Sequence, residues 1–435
     1  MKTLISSVAL IFCLLVQAQV KGQNQYQLVD NYAKELEKTI IDLRRSFHQF
    51  PELSNREFET SKKIAAIMTK MGFQVETGVA KTGVIAVLDT GRPGPTVALR
   101  ADIDGLPVTE NSGVPFASTV RTNFLGNETG VMHACGHDAH TAMLIGAANI
   151  IKRMSPQLNG KVVFIFQPAE EGAPPGEEGG AELMVKEGVI DRYGIDVIFG
   201  QHIRSMVDVG TIRYKVGGIW SSANRFVIKI KGKQVHGSRP WSGVDPITVS
   251  AQVILGLQTI VSRQMDIANE PVVISVGKIS GGVRNNIIPA EVEMIGTIRT
   301  LDKDMQKEVH QRIYKTVNSI AESAGATAEV IIEKGVPVTV NDAELTRNML
   351  PSLYASAGEQ NVIVTKAQTG AEDFSFFAQE VPGFYFLLGA KPRDISSLEA
   401  TQHHTPEFYI DESSLLLGMK AMANLAIDYL RNNSN

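Results

Sequence analysis

The sequence predicts an α/β protein of two domains, a mixed-sheet α/β/α domain interrupted by a smaller ferredoxin-like βαββαβ domain. Three observations predict it. Helical and strand-like patterns alternate through the first half of the 435-residue chain, and the strands are apolar in the way a sheet covered on both faces requires. Near Trp220 the texture changes: residues 225–231 alternate, with Phe226, Ile228 and Ile230 on one face and Arg225, Lys229 and Lys231 on the other. The length also exceeds what one hydrophobic core usually serves.

Taken in order, apolar residues recur at helical spacing over 28–47 and stop before Pro51, which predicts a first helix. A second helix is predicted over 56–71, ending at Gly72. Strand-like runs follow at 84–88 and 96–100, then a helix at 139–154, a strand at 161–167, and another helix–strand pair through Phe199. After the alternating strand at 225–231 come a helix over 246–264, strands at 272–279 and 290–299, a helix over 304–324 and a strand at 327–332. That order is a small sheet with two helices on one face. The large domain resumes near Val336 and closes in a helix over 412–430. The division expected is a leader at 1–18, the large domain at 25–218 and 335–435, and the inserted domain at 219–334.

The leader is an export signal by pattern. Met1-Lys2 is a short basic start, residues 4–16 are almost wholly apolar, and Val16-Gln17-Ala18 offers small residues where a signal peptidase cuts. An apolar run of about a dozen residues is short for a bilayer span. Phe12 before Cys13 argues against a lipoprotein signal. The expectation is an exported protein, periplasmic or secreted, with a retained anchor as the alternative. No later stretch reaches transmembrane length, so no membrane association is expected once the signal is removed. The net charge of −4 carries no basic stripe and no basic amphipathic helix, which excludes a nucleic-acid or membrane-surface binder.

Setting the leader aside leaves one cysteine, in Met132-His133-Ala134-Cys135-Gly136-His137-Asp138-Ala139-His140. A lone thiol in an exported chain has no internal disulfide partner and is open to oxidation unless something uses it. Cys-x-His puts a thiolate and an imidazole within reach of one borderline metal ion. The competing reading is a packed small hydrophobe beside solvated histidines.

The remaining chemistry clusters at predicted strand ends, where an open α/β sheet places its site. Residues 100–107 deliver Asp102 and Asp104; Gln167-Pro168-Ala169-Glu170-Glu171-Gly172 leaves the next strand; Gly200-Gln201-His202 leaves another. Near the C-terminus lie Gly370-Ala371-Glu372-Asp373-Phe374 and His403-His404-Thr405-Pro406. Adjacent glutamates on a turning backbone diverge, so one can bind a metal while the other takes a proton from water. Two solvated loop glutamates are the alternative, and Glu177-Glu178 fits that description.

These residues resemble the M20 group of metal-dependent amidohydrolases and peptidases, closest to the branch of hippurate hydrolases, indole-acetyl-amino-acid hydrolases and N-acyl-amino-acid amidohydrolases. The motifs are His48-Gln49-Phe50-Pro51-Glu52, Arg100-Ala101-Asp102-Ile103-Asp104, the Cys-Gly-His-Asp-Ala-His segment, the 167–172 segment, Gly232 through His236-Gly237-Ser238-Arg239-Pro240, Asn286-Ile287-Ile288-Pro289, Gly296-Thr297-Ile298-Arg299-Thr300 and His404-Thr405-Pro406. They occur in family order over nearly the whole mature chain.

The resemblance implies a metal-dependent hydrolase of linear amides that cleaves N-acyl amino acids, with a carboxypeptidase or dipeptidase on the same scaffold as the alternative. A catalytically silent metal-dependent binding protein is the rival from another class. It implies two divalent metal ions per subunit (Zn, Mn or Co) held by Cys135, His137, Glu171, His202 and His404, with Cys135 as bridge. His404 is preferred over His403 because it directly precedes Thr405-Pro406. It implies Glu170 as general base activating a metal-bridged hydroxide, and His236 from the partner subunit steadying the oxyanion. Asn286 and Arg299 correspond to positions that bind the substrate carboxylate, and Asp104 and His140 to groups that orient ligands. It also implies a homodimer formed through the inserted domain. The chain departs from the pattern after His202, where Ile203-Arg204-Ser205-Met206 replaces the expected proline, and in the lengthened loop at 173–178. Arg284 adds either an anion contact or a solvated charge.

Overall fold

The computed structural model describes residues 2–396 and 398–434, and for 2–24 only the helical course of the backbone. The expected leader therefore falls on residues whose side chains lie outside that description. Among the described residues no helix is long and apolar enough to cross a membrane.

In chain order the elements are α1 (Lys2–His48), α2 (Phe58–Lys70), β1 (Gln74–Val79), β2 (Gly83–Asp89), β3 (Thr96–Asp102), β4 (Arg121–Phe124), β5 (Asn127–Gly130), α3 (His137–Met154), β6 (Lys161–Gln167), α4 (Gly180–Lys186), α5 (Val189–Tyr193), β7 (Val197–Asp208), β8 (Ile212–Tyr214), β9 (Gly217–Trp220), β10 (Asn224–Lys231), β11 (Val235–His236), α6 (Pro246–Gln264), β12 (Val272–Gly281), β13 (Ile287–Ile288), β14 (Glu291–Thr300), α7 (Lys303–Ser323), β15 (Thr327–Glu333), β16 (Thr339–Asn341), α8 (Ala343–Ala357), β17 (Val362–Val364), α9 (Phe374–Glu380), β18 (Gly383–Lys391) and α10 (Ser414–Asn432). They form two compact units, one of Met1–Lys215, Asn341–Thr365 and Phe377–Asn435, the other of Val216–Val340 and Lys366–Phe376.

The first unit is built on a mixed sheet in the order β1-β2-β6-β3-β7-β18-β8-β17. Its centre, β6-β3-β7-β18, is parallel, and β1 and β2 join antiparallel at one side. Every residue of β3 and of β18 is buried, and β18 is accordingly a near-continuous apolar run. Phe164, Phe166, Phe199, Phe384 and Phe386 share a core with α3 and α10 residues such as Ile151 and Leu425. A charge sits inside this sheet. Arg100 donates to Gln167 Oε1 and Asp102 Oδ2, both at 2.7 Å, and to the Tyr385 hydroxyl, so a paired guanidinium stitches β3 to β6 and β18.

The second unit has the order β12-β14-β10-β15, all antiparallel. Phe226, Ile228 and Ile230 pack against Val253 and Leu257 of α6 and against Val309, Ile313 and Val317 of α7, the fourfold spacing being one face of a helix. Asp245 caps α6 through Ile247 N–H, with Pro246 at the first helical position. Asp302 caps α7 in the same manner.

The structure differs from the sequence reading at several places, and β1, α8 and β18 have no counterpart in it. The helix expected from residue 139 begins at His137. β7 runs beyond Phe199 to Asp208 because β18 pairs with it as far as Asp208. The segment Lys366–Phe376, assigned in the sequence to the large domain, packs with the second unit, where Ser221 N–H donates to the carbonyls of Gln368 and Gly370. The β4–β5 hairpin was not anticipated.

Candidate active site

The parallel strands of the first unit deliver their polar residues at one edge, as an open α/β sheet does. Asp102 ends β3, Glu170 and Glu171 follow β6, and His202 lies inside β7. Cys135 and His137 bracket Gly136, whose φ of +92° caps α3 and whose absent Cβ would lie 2.4 Å from Ile203 Cγ2. Only glycine fits there. Ala169 and His404 adopt left-handed φ of +53° and +64°, conformations that non-glycine residues hold only when their surroundings enforce them. Glu57 enforces the first by accepting the Ala169 N–H at 2.9 Å, and the Ala134 carbonyl the second by accepting the His404 N–H at 2.9 Å.

Seven side chains from these segments converge. Cys135 Sγ lies 3.4 Å from His202 Nε2 and 3.3 Å from His404 Nε2. His404 Nε2 lies 3.0 Å from Glu171 Oε1. His137 Nε2 is 3.7 Å from Glu170 Oε2 and 4.0 Å from Glu171 Oε1. His403 Nδ1 approaches the same sulfur at 3.7 Å. Donors at about 2.0–2.3 Å from one tetrahedral ion stand about 3.3–3.8 Å apart, so these spacings suit shared coordination.

Backbone partners fix which ring nitrogen is offered. His137 Nδ1 faces the Asp104 carbonyl at 2.9 Å and can only donate there, leaving Nε2 for the cluster. That Nε2 is buried and makes no hydrogen bond. His202 Nδ1 donates to the Ile203 carbonyl, again turning Nε2 toward the sulfur. His140 is different. Ile203 N–H donates to its Nε2 and its Nδ1 donates to Asp102 at 2.6 Å, so neither nitrogen is left to ligate. His403 likewise accepts Ser205 N–H at Nε2, which places a proton on the Nδ1 that faces Cys135. Of the two adjacent histidines, His403 therefore turns a donor toward the sulfur, while His404 Nε2 lies between that sulfur and Glu171 Oε1. Asp104 stands behind His137, its other oxygen taking Ser54 O–H and Glu171 N–H.

The electrostatics follow from burial. Burial opposes charge on His137, but the Asp102 and Asp104 carboxylates outweigh it and push its pKa up to about 10. Nε2 thus sits in a potential that attracts a cation, whether proton or metal. Burial, reinforced by Glu171 and Glu170, pushes the Cys135 thiol well up, so this sulfur ionises only against a cation. His202 and His403 are held neutral, chiefly by burial.

His236, Asn286 and Arg299 belong to the second unit. His236 is exposed on β11, its Nδ1 accepting the Ser238 N–H at 3.1 Å, so Nε2 carries the proton of the neutral ring. β11 pairs with β13, and Gly237 N–H donates to the Asn286 carbonyl, where a Cβ on Gly237 would approach Asn286 to 3.1 Å. This close approach sets His236 beside Asn286. Arg299 is half-buried on β14.

Sequence reasoning missed three supports. Glu57 was counted as a helix residue, yet its carboxylate holds Thr82 and the Ala169 turn, and burial with Asp104 nearby raises its pKa to about 7. Arg204, noted only as a departure, lies near enough to Cys135 for the charges to interact. Asp138 was passed over. It accepts Arg44 Nε at 2.6 Å and His48 Nδ1 at 2.8 Å, tying α1 to the first turn of α3. Burial opposes charge on His48, but Asp138 and Glu110, at the two ring nitrogens, hold its pKa above the ordinary value.

One thiol, three imidazoles and two carboxylates, with the unpartnered His137 Nε2 among them, fit a pair of divalent metal ions. Cys135 would be common to two donor groups and Glu171 to two. Metal binding and thiol protection are coupled. Cys135 is therefore expected to alkylate slowly in metal-loaded protein and rapidly after chelation, measured by mass spectrometry; equal labelling in both states would mark it as a merely packed thiol.

The chain matches the profile of peptidase family M20/M25/M40 over residues 98–428. It is 41% identical to thermostable carboxypeptidase 2 of Saccharolobus solfataricus over 92% of this chain and 97% of that one. It is 37% identical to N-acetyl-L-cysteine deacetylase of Bacillus subtilis over 88% and 86%. Among solved structures, the YXEP protein of Bacillus subtilis, described as a dinuclear metal-binding peptidase of the M20 family, is 34% identical with a TM-score of 0.77, covering 92% of this chain and 99% of that one.

Proposed function

The chain belongs to peptidase family M20/M25/M40 and is a metal-dependent hydrolase of amide bonds; from that premise we propose that it releases a free amino acid from an N-acyl amino acid or a small dipeptide-like substrate. The observation that carries the reading is the buried, unpartnered His137 Nε2 facing Glu170 and Glu171 inside a set of soft and hard donors.

In this reading Cys135, His137, Glu171, His202 and His404 hold the metals, which when bound supply Lewis acidity and lower the pKa of water. Glu170 takes the proton of the attacking water at a carboxylate oxygen and returns it to the leaving amine nitrogen. The Glu57 bond to Ala169 keeps that carboxylate aimed by fixing the turn on which it sits. Asp104 and His140 hold His137 and Asp102 in one orientation. His236, with its proton on Nε2, donates to the developing oxyanion. We place that histidine in the site of a second copy of the chain, associated through the unit that carries it. Asn286 and Arg299 take the substrate carboxylate.

A panel of N-acetyl amino acids, N-benzoyl amino acids and dipeptides, assayed with added Mn²⁺, Zn²⁺ or Co²⁺, tests the reading. Turnover of the N-acyl compounds, lost on chelation, is the expected outcome. Hydrolysis confined to dipeptides would make the protein a peptidase. Absence of turnover with every metal would leave a binding protein and sink the proposal.

A further inference from the structure

One more carboxylate stands at the donor cluster without being among its assigned ligands. Asp102 Oδ1 lies 3.7 Å from His137 Nε2, and Asp102, His137 and His140 offer ligand atoms within 4.8 Å of one another. We infer that Arg100 is a positioning residue that withholds Asp102 from the metals and so keeps a coordination position open beside His137. The inference rests on the two-metal reading above and adds to it what decides which carboxylates ligate.

Distance does not exclude Asp102. The same Nε2 is 3.7 Å from Glu170 Oε2 and 4.0 Å from Glu171 Oε1, so Asp102 is as near as the base and nearer than a ligand. Its separation from Nε2 is that of two donors on one ion. Protonation does not exclude it either. Burial opposes charge on Asp102, but His137, His140 and Arg100 hold its carboxyl well below the usual carboxylate range.

Bonding does. Arg100 Nη1 donates to Asp102 Oδ2 at 2.7 Å, and His140 Nδ1 donates to Oδ1 at 2.6 Å. Residues 100 and 102 share a face of β3, which brings the guanidinium to the carboxylate. Neither donor is free to turn away. His140 is fixed at its other nitrogen by the Ile203 N–H, at 2.8 Å. Arg100 is 1% exposed and also donates to Gln167 Oε1 at 2.7 Å and to the Tyr385 hydroxyl at 3.3 Å. Its planar fork is therefore gripped from β6 and from β18, as a lysine in its place could not be. An ion at His137 would have to compete with two short, charge-assisted bonds for this carboxylate.

The chemistry gains from that exclusion. Catalytic metal sites keep one position for water or substrate. A further carboxylate would fill it and blunt the positive charge that acts on a carbonyl. With Arg100 in place, the Asp102 charge is offset inside the sheet and serves instead to orient His140.

The test reads metal binding, not turnover. Co²⁺-loaded proteins are compared by visible absorption, which weakens as the coordination number rises above four, and by competition with a chelator. Arg100→Met, checked for folding by circular dichroism, should lose band intensity and hold Co²⁺ about tenfold more tightly, the scale on which groups behind metal ligands act. Arg100→Met/Asp102→Asn removes cation and anion together and leaves no lone buried charge, so both readouts should return to within about twofold of wild type. Asp102→Asn alone, which needs no change at Arg100, should keep the wild-type cobalt stoichiometry because no ligand is lost. An unchanged spectrum in folded Arg100→Met would overturn the inference. So would weaker binding with the bands unaltered, which is what a merely structural role predicts. A double variant that still behaves as Arg100→Met, or loss of cobalt from Asp102→Asn, would overturn it as well. Wild-type protein that takes up no cobalt would sink the two-metal reading itself, and this inference with it.

Discussion

Glu170→Gln is expected to lower kcat by about two to four orders of magnitude, the usual cost of losing a general base, with more lost because the same group generates the nucleophile. The amide preserves size, and the Glu57 bond to the backbone of Ala169 still holds the turn. What it cannot do is accept a proton. Metal content, read by elemental analysis, should stay at the wild-type level. Glu171→Gln should behave differently: its Oε1 lies 3.0 Å from His404 Nε2, among the donors themselves, so metal should be lost along with activity. A Glu170→Gln variant retaining more than about a tenth of the rate would remove Glu170 from the base role.

The second large effect is a recovery. Glu170→Gln and His236→Ala should each be nearly inactive alone, and a mixture allowed to exchange subunits should regain activity. In a mixed dimer one site has a native Glu170 together with the partner's His236, while the other has neither. Random exchange at equal amounts makes about half the dimers mixed, each with one working site of two, so recovery should approach roughly a quarter of wild type under two-fold symmetry. Were His236 to act within its own chain, every site in a mixed dimer would lack one group. No recovery, with exchange demonstrated by differential labelling, would rule out the trans arrangement.

Much of the scaffold was legible because its signals are local. β6 spans the predicted residues 161–167, with Pro168 ending it, and α6 spans 246–264, with Asp245 and Pro246 starting it. The βαββαβ unit showed itself in the alternation along β10 and in the order of its strands and helices. Other features depend on partners distant in sequence. Nothing near Phe199 says that β7 continues through His202, since the reason is a ladder to β18 almost two hundred residues away. The true start of α3 at His137 follows from Gly136, which caps the helix in a left-handed conformation and whose missing Cβ leaves room for Ile203, far along the chain. Glu57 carries an ordinary helix-start signature, and only the folded chain brings it to Ala169. The preference for His404 over His403 was a matter of motif in the sequence; that Ser205 N–H occupies His403 Nε2 depends on a residue almost two hundred positions away. The β4–β5 hairpin escaped because Leu125 occupies a turn position that composition assigns to glycine or asparagine.

The chain leaves the first unit after Lys215 and returns to it at Asn341, and the strands at these two crossings, β9 and β16, are hydrogen-bonded to each other. Closing a loop costs more entropy as it lengthens, by about 0.6 kcal/mol for each doubling. The large sheet must join β7 to β18 across the whole insertion, an expensive search for an unfolded chain. Once the inserted segment is folded, its two ends emerge side by side, and the gap to be closed shrinks to the few elements between Asn341 and Gly383. The insertion then works as a splint, holding together the cut ends of the chain it interrupts.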